Sequence, residues 1–477
     1  MHNKTWVIWR HSLRFLAAFQ SLQYDNVPLG ILLLRDFQKY ALHHPRSFRS
    51  SKFAREGPIR NLHAACKPYL PPANPDLSKS GYTAVRAELF GVAKGSGEEK
   101  LLFVAHHRRE YRYMAKLKEC RPLVYLHGLP PAKLPPALTH ATMRKLRECL
   151  AHRSTPAVFR QRAFRIWLAA RVRLAILHIR RVHTLFDRYP IKQTIYGSTI
   201  NHHGALITSF AQSRHVHTVN VQHGLFGPLG HLPINADLNF VWGKSHSDFL
   251  KSYGAPPDKI KISGPCFYRN LQTKHSSGSK SASARLQVLV ALQPLGNRFN
   301  RTMIRRIERA ARPYGRSVFV TYKLHPDQGS ASFYRRLLSG RRSKIVRHGT
   351  IPLNRLINRS DIVLTPYSSV AYESLINGKP VFFYRRPRFV YYIRNAPIYF
   401  HTSTQLKRLL AKYIGNTKRL AAAHAKMGVI DSASSGTDGS RFIWSTLRLL
   451  QLGASGNIEG NRSPVTGFGA KEGEVPE

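Results

Sequence analysis

The chain has 477 residues, too many for one ordinary hydrophobic core, and 43% of them are hydrophobic, enough for two well-packed domains of about 150–250 residues each. Its 75 Lys and Arg against 24 Asp and Glu leave a formal charge of +51, which asks for an anionic partner: a phosphorylated substrate, an acidic polymer, an anionic membrane face or nucleic acid. A general basic bias of the source proteome is the plain alternative. The four cysteines form no CxxC pair, which argues against a disulfide framework and a cysteine zinc site and for a reducing compartment.

The opening "MHNKTWVIWRHSLRFLAAFQ" is basic and partly apolar, without the clean apolar core or small-residue cleavage site of a signal peptide. No apolar run approaches the roughly 20 residues of a membrane span. The expected location is therefore the cytoplasm, with peripheral attachment at the inner membrane face as a further expectation. Residues 1–99 show little periodicity, and the Pro-rich "KPYLPPANPDLSKSGY" within them reads as a loop.

From about residue 100, short apolar runs alternate with amphipathic stretches. "KLLFVAHH", "PLVYLHG", "KQTIYGST", "HTVNVQHG" and "LNFVWG" read as strands, with helices such as "REYRYMAKLKEC" and "NHHGALITSFAQS" between them. A second series runs through "LQVLVALQP", "SVFVTYKLHP", "DIVLTPYSS" and "PVFFY". Strands of this length separated by helical segments predict βαβ units around parallel sheets. The Ser- and Lys-rich stretch 272–285 between the two series reads as a linker, and the Gly-rich polar tail from 453 as disordered. The predicted division is an N-terminal domain over 1–271, a linker over 272–285, a C-terminal domain over 286–452 and a tail over 453–477.

One long helix is predicted over Val158–Tyr189. Phe164, Leu168, Val172, Ala175, Ile179, Val182 and Phe186 share one face, and seven arginines decorate much of the rest. A basic amphipathic helix of this kind lies either on an anionic membrane or against a core with its charges in water. The core reading is favoured.

The clearest chemistry lies in "DIVLTPYSSVAYESLINGKPVFFY", which reads strand, tight turn, helix, glycine stop, strand. Ser368 or Ser369 is placed to cap a helix beginning near Val370, and Gly378 to end it. A helix N-terminus at the carboxyl end of a parallel strand presents free N–H groups to a phosphate. Glu373, one turn in, is placed to accept from ribose hydroxyls or simply to complement the helix dipole. In "YKLHPDQ", His325 sits where a strand leaves the sheet and Pro326 fixes the exit. "VQHG" ends an earlier strand with Gln222, His223 and Gly224. Histidine's ordinary pKa near 6.5 suits removal of a hydroxyl proton at neutral pH, and Gly224 allows a substrate close approach. Structural or purely substrate-binding roles for His223 remain the competing assignment.

The order "VQHG", "FVWG", "IKISGP", "KLHP", "TPYSSVAYESLINGKP" over roughly 190–385 resembles bacterial surface-polymer transferases of the GT-B fold. It is similar to CDP-glycerol glycerophosphotransferases, to bacterial sialyltransferases and to capsule polysaccharide glycosyltransferases. The resemblance implies two Rossmann-like domains with parallel sheets facing across a cleft. It assigns a nucleotide-activated donor to His325, Ser368, Ser369 and Glu373, and makes His223 the general base, with Gln222 and Gly224 on the acceptor side. Glycerophosphotransferases resemble "TDYSS", where this chain has Pro366, a departure that counts against CDP-glycerol as donor.

No Asp-x-Asp occurs, so the carboxylate pair of metal-dependent sugar transferases is missing. The adjacent pairs His43–His44, His106–His107 and His202–His203 lack metal-site spacing, and no P-loop is present. A metal-independent enzyme with no metal site and no cofactor is expected. It would move a sugar from a nucleotide donor to an anionic surface polysaccharide or its lipid-linked precursor, as in capsule biosynthesis. The alternatives are a glycerophosphotransferase and a basic nucleic-acid-binding protein. The latter shows none of the usual recognition motifs, so nucleic acid is not the expected partner. A nucleotide-sugar epimerase on the same fold is a third reading.

Overall fold

The computed structural model describes residues 2–454 apart from 49–52, 54, 73, 94–95, 98, 118–121, 267–284, 326–327, 329–330, 339, 348, 386–389, 396 and 431–438. The predicted linker thus lies outside the described residues except for Arg285, and the tail does so from 455 onward.

Seven strands form the first sheet: β1 (Tyr82–Arg86), β2 (Leu101–Ala105), β3 (Leu123–Tyr125), β4 (Ile191–Tyr196), β5 (His217–Val221), β6 (Leu238–Val241) and β7 (Ile260–Ile262). Their spatial order is β3-β2-β1-β4-β5-β6-β7, and every pairing is parallel. The second sheet has β8 (Leu286–Ala291), β9 (Val318–Lys323), β10 (Ser343–Val346), β11 (Ile362–Thr365), β12 (Val381–Tyr384) and β13 (Ile398–Phe400). Its order is β10-β9-β8-β11-β12-β13, again all parallel. Parallel strands need crossovers that cover both sheet faces, which is why these strands are continuous apolar runs rather than alternating ones. In each sheet the winding direction reverses beside the first strand. A crevice opens at such a switch point, outside the carboxyl ends of the strands.

The expected α/β fold with two parallel-sheet domains is present. The strand β1 at the first switch point lies in the region where the sequence showed no periodicity. Two helices of that region, His2–Ala18 and Leu29–His43, pack together, and Trp9 donates its indole N–H to the Pro228 carbonyl at 2.7 Å.

The predicted helix over 158–189 breaks at the extended residue Gln161 into Ala157–Arg160 and Arg162–Arg188. Of its predicted apolar stripe, Phe164, Leu168, Val172, Ala175, Ile179 and Val182 are buried in the first domain's core and Phe186 packs half-buried against it, which is the core reading of that face. Among the described residues, no helix is long and apolar enough to cross a membrane.

The last described helix, Gly439–Ala454, lies, but for its final two residues, within the stretch assigned from sequence to the C-terminal domain, yet it returns to the first sheet. Ile443, Trp444 and Leu447 are buried there with Val85, Phe103 and Phe240, and Trp444 donates to the Val92 carbonyl at 2.8 Å.

Candidate active site

β11 ends at Thr365, whose hydroxyl donates to the Ala291 carbonyl at the end of β8, 3.2 Å away. The two strands flanking the second switch point are thereby tied at their carboxyl ends. The chain turns through Tyr367, and Ser368 becomes the N-cap of the helix Ser369–Ile376, accepting the Val370 N–H at 3.2 Å. Gly378, at φ +72°, follows its C-terminus, where a left-handed residue closes the helix. Strand, cap, helix and glycine stop therefore stand where the sequence puts them.

Glu373 is buried, one turn inside this helix, and accepts from the Ser369 hydroxyl at 3.3 Å. In this conformation its carboxylate orients Ser369 rather than facing solvent. His325 lies on the neighbouring carboxyl edge, two residues past β9. Its backbone N–H donates to Gln328 Oε1 at 2.8 Å, and the Gln328 N–H donates back to the His325 carbonyl at 3.0 Å. Gln328 Nε2 also donates to the Gln293 carbonyl at 3.2 Å, binding this loop to the turn after β8. Pro326 is outside the described residues. Lys323, buried at the end of β9, is held by the Leu324 and Arg347 carbonyls, and burial lowers its pKa. The sequence reading passed over it because one lysine among so many basic residues carries no signal.

On the first domain, His223 is exposed two residues beyond β5. Its Nδ1 lies 2.5 Å from the Gly197 carbonyl oxygen at the end of β4. A carbonyl only accepts, so Nδ1 carries a proton, and in the neutral tautomer that this contact selects Nε2 holds the lone pair. That is the arrangement a general base needs. A side chain on Gly197 would stand 2.8 Å from that Nδ1, so the glycine makes room for the ring. Gly197 was missed from sequence, although "TIYG" closes its strand as "VQHG" does. A side chain on Gly224 would meet no protein atom within 4 Å, so the fold itself does not demand that glycine.

Gln222 has a different task from the one expected. It is fully buried, its Nε2 donates to the Gly224 carbonyl at 2.9 Å, and its Oε1 accepts the Trp242 N–H at 2.8 Å. Both ends of the amide are engaged within the protein, which makes Gln222 a positioning residue rather than an acceptor contact.

Trp242 links the two halves. Its indole N–H donates to the Gln222 carbonyl at 2.8 Å, and its ring lies 5.2 Å from Tyr372 of the capped helix. Leu225 and Trp242 share one buried cluster with Val370, Ala371 and Tyr372. The Tyr391 hydroxyl accepts the Phe226 N–H at 2.9 Å across the same interface. The loop carrying His223 and the helix carrying Ser368 and Ser369 are therefore built on a common wall.

The structure also gathers histidines that are far apart in the chain. His106 follows β2, His127 follows β3 and His203 lies in the first turn of the helix after β4, with ligand nitrogens all within 4.8 Å of one another. Two of the three pairs dismissed for their sequence spacing, His106–His107 and His202–His203, each contribute one member, and His127 belongs to none of them. Spacing along the chain is uninformative here because each ring comes from a different strand end.

Structural comparison decides the architecture. The UDP-GlcNAc 2-epimerase from Neisseria meningitidis, in a structure bound to UDP-GlcNAc, has a TM-score of 0.50 to this chain at 14% identity, over 77% of this chain and 99% of that one. The fold is GT-B-like. Similarity also extends to S. aureus MnaA in a co-structure with UDP, at 13% identity and a TM-score of 0.49, covering 77% of this chain and 96% of that one. At such identities the likeness is one of fold. Residues 296–403 match the family CDP-Glycerol:Poly(glycerophosphate) glycerophosphotransferase. That segment contains His325, Ser368, Ser369 and Glu373 of the GT-B-like chain's second domain. No match was found among curated proteins.

Proposed function

We propose that this chain is a nucleotide-dependent glycosyltransferase that moves a sugar to a bacterial surface polysaccharide or its lipid-linked precursor. The observation that carries the nucleotide-dependent transferase part of the reading is the glycerophosphotransferase match over residues 296–403, which spans the capped helix and the His325 loop at the second switch point. The choice of a sugar rests on Pro366, where the glycerophosphotransferase pattern has an acidic residue. In this reading the donor's phosphates lie against the helix N-terminus at Ser368–Ser369, where the helix dipole favours negative charge. His325 binds the nucleotide. His223 Nε2 takes the proton from an acceptor hydroxyl as its oxygen attacks the anomeric carbon. The glycosidic bond to the nucleotide breaks, and the nucleotide leaves with the bonding pair. Dipole and basic side chains neutralise it, and no metal ion is needed to hold it.

The +51 charge supports an anionic acceptor and work in the cytoplasm at the inner membrane face. The family description favours a second reading in which the donor is CDP-glycerol. The same hydroxyl would then attack the phosphorus nearer glycerol, form a phosphodiester and release CMP.

Screening CMP-, CDP-, UDP- and GDP-linked donors by thermal shift, followed by turnover assays, tests both. A ligand that binds only the folded chain raises its Tm. Transfer from a nucleotide sugar supports the first reading, and transfer from CDP-glycerol alone replaces it with the second. Stabilisation by no nucleotide donor would reject both.

A further inference from the structure

The histidine cluster on the first domain takes no part in the chemistry above. His106, His127 and His203 stand at the carboxyl ends of three strands, β2, β3 and β4, with ring centroids 4.6 Å (His106–His203), 5.1 Å (His127–His203) and 6.4 Å (His106–His127) apart. We propose that these three imidazoles form a binding site for a divalent transition metal, with Zn²⁺ the best fit.

The donor set has the right chemistry. Zn²⁺ takes three imidazoles and an exchangeable fourth ligand at Zn–N distances of about 2.0–2.1 Å, which sets bound nitrogens about 3.4 Å apart. The nitrogens here lie within 4.8 Å, so side-chain rotation of roughly 1 Å closes the site around an ion. His127 and His203 are only half-buried, which leaves the cluster a route for entry.

His106 supplies an independent reason. It is almost wholly buried, yet its Nδ1 has no hydrogen-bond partner, and an orphaned polar atom in such a place needs an account. Its other nitrogen, Nε2, lies 3.1 Å from the Tyr196 hydroxyl. With Nε2–H donating to Tyr196, Nδ1 presents a lone pair, the outer contact that usually fixes a metal-bound imidazole. The backbone is held as well: Glu110 accepts the His106 N–H at 2.9 Å while pairing with Arg86 at 2.8 Å. His178, also buried, lies behind His127 at 4.8 Å.

The inference stands apart from the transferase reading, since the nucleotide would sit on the other domain. The full-length chain is stripped with EDTA, reloaded with Zn²⁺, desalted and analysed by plasma mass spectrometry. It should retain a stoichiometric amount of zinc. His127→Gln and His203→Gln should each lose it while keeping the native circular dichroism and nucleotide affinity. The double variant H43Q/H44Q, at an exposed pair outside the cluster, should retain it. Co²⁺ in place of zinc should give the intense visible bands of a four-coordinate ion. A native chain that keeps no zinc, or single variants that keep as much as the native chain, would overturn the site. Should either variant fail to fold, the cobalt spectrum of the native chain decides: weak six-coordinate bands count against the proposal.

Discussion

The ring of His223 occupies the space that a side chain on Gly197 would fill, and the Gly197 carbonyl fixes which of its nitrogens bears the proton. His223, the proposed base, and the glycine beneath it are thus one structural unit, contributed by adjacent parallel strands. Gly197→Ala should push the imidazole aside without touching its chemistry. The expected outcome is a fall in kcat with nucleotide affinity unchanged, approaching the loss in His223→Ala, which should be roughly 10²–10⁴-fold. Turnover and calorimetric nucleotide binding on folded variants check this. Native turnover in His223→Ala would remove His223 from the mechanism.

His325 belongs to the other domain and should behave oppositely. His325→Ala should weaken nucleotide binding by about 1–3 kcal/mol if its contact is charge-assisted. Ser368→Ala removes the cap and should cost the fold about 1 kcal/mol, read from denaturant unfolding. Unchanged nucleotide affinity in His325→Ala would move the donor site elsewhere.

Donor binding should be independent of divalent ions if, as proposed, a helix N-terminus and basic side chains take the place of an Asp-x-Asp pair, which the sequence lacks, and its metal. Nucleotide Kd measured in EDTA and in Mg²⁺ should agree. A Kd that collapses in EDTA and returns with Mg²⁺ would contradict the assignment.

Stability should depend on pH through buried histidines of the first domain. Burial, with Arg14 nearby, lowers His11 to about 4, and burial with Lys259 and Lys67 does the same for His63. Burial, aided by His223 and Arg35, brings His231 to about 3. Each folded pKa lies below the unfolded value of 6.5, so below pH 6.5 the unfolded chain binds more protons than the folded one. The stabilisation is complete above that pH and is lost as pH falls toward about 4. Tm should drop across this window. His11→Phe should flatten part of the drop, since His11 packs edge-on against Phe48 and Phe53 at 5.2 and 5.1 Å. A flat Tm from pH 7 to 5 would count against it.

Trp242→Ala should be the most damaging of the single changes at the interface. It removes a buried aromatic that Gln222 holds on one side and Tyr372 meets on the other. A loss of about 3–5 kcal/mol is expected from chemical denaturation.

What the sequence made legible follows from how local each feature is. The stretch from Asp361 to Tyr384 carries its own strand, cap, helix and stop, so its geometry could be written down before any contact was known. His223 was found because a polar residue ended an apolar run. β1 escaped notice because five residues ending in arginine resemble a loop edge, although that strand lies at the first switch point. Gly197, Lys323 and the histidine cluster acquire meaning only when separate strand ends are brought side by side. Gln222 was read as an acceptor contact from its neighbours, and only packing shows its amide turned inward.

The return of the last helix to the first sheet bears on the order in which the protein can be made. Synthesis releases the first sheet before the second, but Val85, Phe103 and Phe240 wait for Ile443, Trp444 and Leu447, which leave the ribosome only after the whole second sheet. The first domain is started early and finished last. Until then it carries an open apolar groove on a nascent chain, a condition under which transient exposure invites aggregation. A stop codon shortly before Gly439 would therefore damage the domain farther from it in sequence, leaving the nearer one with its own core intact.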